Sequence, residues 1–258
     1  MSASSLQSNN RHRFQKILGI NFYTGDASSA VELGSKGGLV LAPAAPALCQ
    51  LSRDHDYREA LQQADLVITD SGFLVLLWNA MTRDQIERVS GLKYLRLLLS
   101  RPDFRRAGAS IWVMPSKAAS ERNLKWLSAN GCAVTADDCY IAPNYGTGPI
   151  SDPALLKLIE RRAPRHVVVC VGGGVQEKLG LYLKQGSKGQ PAIHCIGAAI
   201  GFLTGDQVRI PDWADQKVLG WFFRCMSHPR RFVPRYVRAL ELPLILWRYR
   251  SEPPVANV

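Results

Sequence analysis

Acidic residues are scarce in this chain. Its 258 residues hold 21 Asp and Glu against 32 Lys and Arg, a formal net charge of +11. Such an excess implies an anionic partner, whether nucleic acid, lipid headgroups or a diphosphate-bearing substrate. Cysteine pairs of the C-x-x-C type are missing. The six cysteines are scattered, and several sit in apolar runs, as Cys170 does in HVVVCVG. They read as small buried hydrophobes of a reducing compartment, not as a disulfide framework. The five histidines (His12, His55, His166, His194, His228) have no ligand spacing, which argues against a structural zinc site. No apolar run reaches the roughly 18 residues that span a bilayer. The polar start MSASSLQSNNRHRFQK lacks the apolar centre of a signal peptide and reads as a disordered lead-in over residues 1–14. These absences point to a cytoplasmic protein whose membrane contact is peripheral.

What the chain does have is concentrated near its end. Residues 217–250 carry eight Lys/Arg against a single acid, Glu241, with Trp221, Phe222, Phe223, Phe232, Tyr236, Trp247 and Tyr249 interleaved. Cations attract anionic headgroups while Trp and Phe enter the interface, so this stretch suits a phosphate-rich membrane surface at the inner face of the plasma membrane. A solvated helical tail with its aromatics packed on the body fits the same composition. No recognised nucleic-acid-binding motif accompanies the charge, so nucleic acid is not the expected partner.

Short β-branched runs alternate with longer helical patterns. Strands are expected over 17–22, 38–41, 66–69, 110–114, 133–136, 166–171 and 193–196. Helices are expected over 56–63, 73–81, 92–99, 116–129, 153–162 and 176–184. Alternation of this kind predicts an α/β fold, a mostly parallel sheet with helices on both faces. The apolar strands fit a sheet covered on both sides. After about Thr204 the pattern turns wholly helical, broken by Pro211, Pro229, Pro234 and Pro243. A boundary near residue 205 therefore separates a body over 15–205 from a basic helical appendage over 206–258.

Several positions could carry chemistry. Asp70 follows the strand LVIT and precedes Ser71-Gly72. Ligands in open α/β sheets bind beyond the carboxyl ends of the strands, so an acid there is well placed, although helix N-capping would explain it too. Gly172-Gly173-Gly174 follows HVVVCV and opens a helix near Gln176 and Glu177. Glycines let a ligand approach the backbone, and free N–H groups at a helix start favour a phosphate or a polar sugar. A tight strand–helix turn needs the same glycines, and the G-x-G-x-x-G spacing is absent. Asp54-His55-Asp56 is formally a D-x-D, but it precedes a polar helix, where capping explains it better. Arg88, before a Ser-Gly turn, could bind a phosphate or carboxylate or form a surface ion pair.

Together, the blocks RDHDYREALQQADLVITDSG, RVSGLKYL, VVVCVGGGVQEKLG and CIGAAIGFLTGDQVRIPDWADQKVLGWFFRCMSHPRRFVPRY, in that order and spacing, resemble the WecG/TagA/CpsF family of bacterial glycosyltransferases (glycosyltransferase family 26). The resemblance implies a Rossmann-like fold with a C-terminal appendage that helps complete the site at the membrane. It implies a metal-independent, inverting transferase without a cofactor. Such an enzyme moves a sugar from a UDP-sugar, often UDP-N-acetylmannosamine, onto a polyprenyl-diphosphate-linked sugar of a cell-surface polysaccharide. By position, Asp70 would be the general base and Gln176 a donor-site contact beside Gly172 and Gly173. Arg88 and Arg209 would bind substrate, and Arg224, Arg230, Arg231 and Arg235 would face the lipid diphosphate.

This chain departs from the family pattern in places. The family's T-x-N falls on Ala42-Pro43-Ala44, its D-G-x-G becomes Asp70-Ser71-Gly72-Phe73, and the Pro of G-x-P-x-Q-E is Gly174. Asp70, Arg88 and Gln176 survive while the pocket lining changes. A donor or acceptor other than that of the commonest N-acetylmannosaminyl transfer is therefore expected. The alternative that Ala42 and Ala44 raise is a relative without turnover, holding nucleotide-sugar or lipid as a scaffold.

Overall fold

A computed structural model describes residues 14–146, 148–197, 199–206, 226 and 229–254. All but the last residue of the expected lead-in lies outside the described residues. In chain order the strands are β1 (Phe14–Ile17), β2 (Ile20–Tyr23), β3 (Gly38–Leu41), β4 (Leu66–Ile68), β5 (Ser110–Met114), β6 (Cys139–Ile141), β7 (His166–Val169) and β8 (Ala192–Cys195). They form one sheet in the order β1-β2-β4-β3-β8-β7-β5-β6. Among the described residues only the β1–β2 pair is antiparallel. The α/β architecture expected from the alternating pattern is the one observed.

Helices cover both faces, and the strand side chains divide between them with period two. On one side, Leu39 and Leu41 of β3, Val67 of β4, Ile111 and Val113 of β5 and Val167 and Val169 of β7 form one apolar cluster. It is covered by helices α3 (His55–Gln62), α4 (Gly72–Met81), α7 (Pro153–Arg162) and α8 (Val175–Gly186). On the other side, Val40, Leu66, Ile68, Trp112, Met114 and Val168 form the second. Helices α1 (Ala27–Gly34), α5 (Gly91–Ser100), α6 (Lys117–Ala129) and α9 (Ala199–Thr204) cover that one. Strands buried on both faces have no polar alternation to display, which is why they read as continuous apolar runs.

Two strand expectations need correction. The run 17–22 is not one strand. It breaks at Leu18 (φ 52°) and Gly19 (φ 77°), which form the two-residue turn of the β1–β2 hairpin. Two successive positive φ angles match the right-handed twist of the flanking strands. The run 133–136 is not a strand either. Thr135 donates its N–H and its hydroxyl to Asp138 Oδ2 at 2.9 and 2.8 Å, closing a short turn, and β6 begins only at Cys139. Local side-chain hydrogen bonds here outcompete ladder pairing.

A short helix, α2 (Ala45–Leu48), and a C-terminal pair, α10 (Pro229–Ala239) and α11 (Leu242–Tyr249), complete the described elements. The pair packs on α2 and α4, and Ala239, Leu242 and Leu246 join the first apolar cluster. Burying two leucines fully contributes up to about 3–6 kcal/mol. Beyond α11 the chain closes on the hairpin. The Leu18 N–H donates to the Arg250 carbonyl at 2.7 Å, the Gly19 N–H to the Ser251 carbonyl at 2.9 Å, and Arg58 reaches the Pro254 carbonyl at 3.3 Å.

Candidate active site

β4 delivers Thr69 and Asp70 to the carboxyl edge of the sheet. The N-cap of the following helix α4 is Ser71, whose hydroxyl accepts from the Leu74 N–H at 3.2 Å. Asp70 is thereby left for another contact. Its Oδ1 accepts from the backbone N–H of Gly91, the first residue of α5, at 2.8 Å. The Arg88 Nε donates to the Asp70 carbonyl at 2.8 Å, and the guanidinium stands 4.0 Å from Oδ1. The Asp70 side chain is 29% exposed. Among the described residues, its Oδ2 accepts no hydrogen bond. One carboxylate oxygen is thus oriented by the protein, and the other is left without a hydrogen bond from the described residues.

Position 91 is closely surrounded, at ordinary contact distances. A Cβ there would lie 3.4 Å from the Ile196 carbonyl, 3.7 Å from Asp70 Oδ1 and 3.8 Å from the Ala42 Cβ. The ends of β3, β4 and β8 therefore meet at the N-terminus of α5. Ala42, Pro43 and Ala45, which follow β3 at this edge, are buried, and none of the three carries a polar side-chain group.

Gln176 lies on the other side of the β8–α9 turn. A Cβ on Gly197, whose φ is 63°, would be 3.5 Å from the Gln176 amide. Gln176 is buried and donates from Nε2 to Glu177 Oε1 at 3.1 Å, while its own Oε1 has no partner among the described residues. Glu177, also buried, accepts from the Gly174 N–H through Oε2 at 2.6 Å. A carboxylate already occupies the start of α8, which leaves a sugar hydroxyl better suited than a phosphate to that helix end. Gly172 and Gly173 are exposed, and open space surrounds the position a Gly172 Cβ would take.

The arginines are distributed differently. Arg88 meets Asp70 directly. Arg230 is exposed on α10, which packs against α2 just beyond the end of β3. Arg231 and Arg235 lie on the same helix, and their side chains are not described; Arg209 and Arg224 lie outside the described residues. Asp54 is a helix cap, accepting from the Tyr57 N–H at 3.0 Å and pairing with Lys178 at 3.2 Å. Among the described residues no cluster of His, Cys, Asp and Glu could hold a metal ion. Thr69 and Gly91 did not stand out in the sequence. The Ser-Gly pair at the start of a helix, two residues after Arg88, was the visible trace of Gly91.

Residues 15–254 match the family model described as the glycosyl transferase WecG/TagA/CpsF family. The chain belongs to this family. Among relatives, it is 25% identical to an N-acetylglucosaminyldiphosphoundecaprenol N-acetyl-beta-D-mannosaminyltransferase of Bacillus subtilis (strain 168), over an alignment covering 79% of each chain. As a WecG/TagA/CpsF protein the chain is a glycosyltransferase, and Asp70, Arg88, Gly91 and Gln176 converge at the strand ends, where an α/β enzyme binds its ligands.

Proposed function

We propose that this protein transfers a sugar from a UDP-sugar to a polyprenyl-diphosphate-linked sugar during assembly of a cell-surface polysaccharide, with Asp70 as general base. One observation carries this reading: Asp70 brings to the carboxyl edge of the sheet an Oδ2 that accepts no hydrogen bond among the described residues, while Gly91 and Arg88 hold the rest of the residue. The acceptor hydroxyl gives its proton to Oδ2 as its oxygen attacks the anomeric carbon. The bond from that carbon to the UDP oxygen breaks on the opposite face, and the configuration inverts. Gln176 contacts the donor, with the Gly172-Gly173 backbone beside it. Arg209 joins Arg88 in substrate binding. Charge on the departing UDP and on the lipid diphosphate is balanced by guanidinium groups, those of Arg224, Arg230, Arg231 and Arg235 facing the lipid. The relative of known activity supports an acceptor bearing N-acetylglucosamine on a lipid diphosphate. The apolar pair Ala42-Pro43 favours a donor that presents few hydrogen-bonding groups on that side.

The same reading brings the enzyme to its substrate. Among the described residues no helix is long and apolar enough to cross a membrane. Yet Val233, Val237, Leu240, Leu244 and Trp247 are exposed on the C-terminal helix pair, next to exposed Arg230, Arg238 and Arg248. Apolar side chains flanked by cations suit shallow insertion into an anionic leaflet.

The test is a mass-spectrometric screen of UDP-sugars with a short-chain polyprenyl-diphosphate N-acetylglucosamine acceptor. Asp70→Asn should cut transfer by about 10²–10⁴-fold while circular dichroism and melting temperature hold. Undiminished transfer by that variant would remove Asp70 from the role of base. Binding of UDP-sugar without turnover by the wild type would favour a scaffold instead.

A further inference from the structure

We propose that Thr69 is a positioning residue of the transfer reaction, its buried hydroxyl holding the segment that brings Arg88 and the Gly91 N–H onto Asp70. The inference rests on Asp70 being the base.

Residues 82–90, between α4 and α5, form no helix or strand. The segment must still place two groups on Asp70 accurately, because catalytic geometry tolerates little displacement. Side chains of neighbouring elements do this work. Asn79 of α4 grips Ile86 from both sides, donating from Nδ2 to its carbonyl at 3.0 Å and accepting its N–H at 2.9 Å. Thr69 grips the residues around Arg88. Its hydroxyl donates to the Glu87 carbonyl at 2.7 Å and accepts from the Val89 N–H at 3.0 Å. Thr69 has no solvent exposure, and Val89 and Ile86 are buried beside it.

The outcome is a clasp between two consecutive residues at the strand end and four others, three in the loop and one at the start of α5. The Thr69 hydroxyl takes Glu87 and Val89, the Asp70 carbonyl takes Arg88, and the Asp70 carboxylate takes Gly91. Only a group that both donates and accepts can bridge a carbonyl and an N–H two residues apart, and at this size a hydroxyl does so well and a thiol weakly. Valine has nearly the same shape and neither capacity. A purely structural reading of Thr69 holds that it merely satisfies two buried backbone groups. In that case its loss lowers stability and leaves the chemistry of the folded enzyme alone.

Thr69→Val, Thr69→Cys and Thr69→Ser separate the two, assayed well below their melting temperatures with the donor and acceptor of the screen above. Thr69→Val is expected to lower kcat on the order of tenfold or more and to raise the KM of the substrate that Arg88 binds, because the clasp seats both the base and that guanidinium. Thr69→Ser should return kcat to within about threefold of wild type, and Thr69→Cys, a weak donor and acceptor, should fall between. Amide hydrogen exchange at Val89 and Gly91 should accelerate in Thr69→Val. Wild-type kcat in Thr69→Val, or equal losses in the valine and serine variants, overturns the proposal. Should Thr69→Val not fold, a cysteine variant as active as the serine one overturns it. If the wild type itself transfers no sugar from any donor, the functional reading has failed. Unchanged exchange at Gly91 in Thr69→Val would then separately dispose of the clasp.

Discussion

His166 Nδ1 lies 3.1 Å from His194 Nε2, and the far nitrogen of His194 lies 3.0 Å from the Tyr94 hydroxyl. All three side chains are sealed from solvent, linking the start of β7, the middle of β8 and helix α5 by a buried polar chain. Burial pushes His166 down to about 4, with a smaller push from Arg165. Burial, and then the neighbouring His166, holds His194 well below the ordinary imidazole range. Both imidazoles are therefore neutral in the folded protein.

Acid should destabilise this protein earlier than its carboxylates alone require. In the unfolded chain each histidine binds a proton near pH 6.5, whereas the folded chain resists protonation until about pH 4 at His166. Below pH 6.5 the unfolded state thus binds more protons, and stability falls as pH falls, by up to about 1.4 kcal/mol per pH unit for each histidine. For His166 the loss approaches about 3 kcal/mol by pH 4. Urea midpoints measured from pH 7 to pH 5 should drop steadily. His166→Phe, beside the ring of Phe104, should flatten that slope by roughly half. An equal slope in the variant would place the proton uptake elsewhere.

How much of this was visible beforehand differs element by element. Strands β3, β5 and β7 are apolar on both faces and stand out as unbroken runs. Helix α7 is bounded as expected, because Asp152 accepts from the Leu155 N–H and Pro153 opens the helix. The β1–β2 hairpin was hidden because Leu18 holds a left-handed turn position without an Asn-Gly signature. What holds Leu18 there is its bond to Arg250, far away in the chain. Helix α1 was missed for a similar reason: its small residues carry little periodicity, and its cap is the side chain of Asp26 accepting from Ser29. At the site, Asp70 was legible from its place after a strand. Thr69 was not, because a hydroxyl bridging two residues of a distant loop leaves no trace in local pattern.

The exposed and buried faces of α11 should respond to substitution in opposite ways. Leu244 and Trp247 are 72% and 70% exposed, whereas Leu242 and Leu246 are fully buried. Leu244→Glu with Trp247→Glu should abolish flotation with phosphatidylglycerol vesicles and leave the melting temperature nearly unchanged. Leu242→Ala should cost about 2–5 kcal/mol of stability through lost burial and a cavity. Deleting the whole C-terminal pair confounds the two effects, since it strips the first apolar cluster as well. Retained flotation in the double glutamate variant would locate the membrane contact outside this face.

Gly180→Ala provides a test of how tightly helix α8, which carries Gln176, is seated. A Cβ at position 180 would lie 2.5 Å from the Cys195 Sγ and 2.7 Å from the Leu39 Cδ1. Both atoms belong to strands in the middle of the sheet, where the backbone has little room to give. Alanine gains about 0.8–1 kcal/mol of helix propensity over glycine. Overpacking a dense core costs about 1–3 kcal/mol, so the substitution should be net destabilising by up to about 2 kcal/mol. Removing the opposing sulfur in Gly180→Ala/Cys195→Ala should recover much of that loss, giving a favourable coupling in a double-mutant cycle. Cys195 also donates to the Gln176 carbonyl at 3.2 Å, so strain at this contact is passed to the first turn of α8. Donor KM should therefore rise in Gly180→Ala while kcat changes little. A more stable Gly180→Ala protein would mean that α8 can lift off β3 and β8 at no cost, and that Gln176 is not fixed by packing.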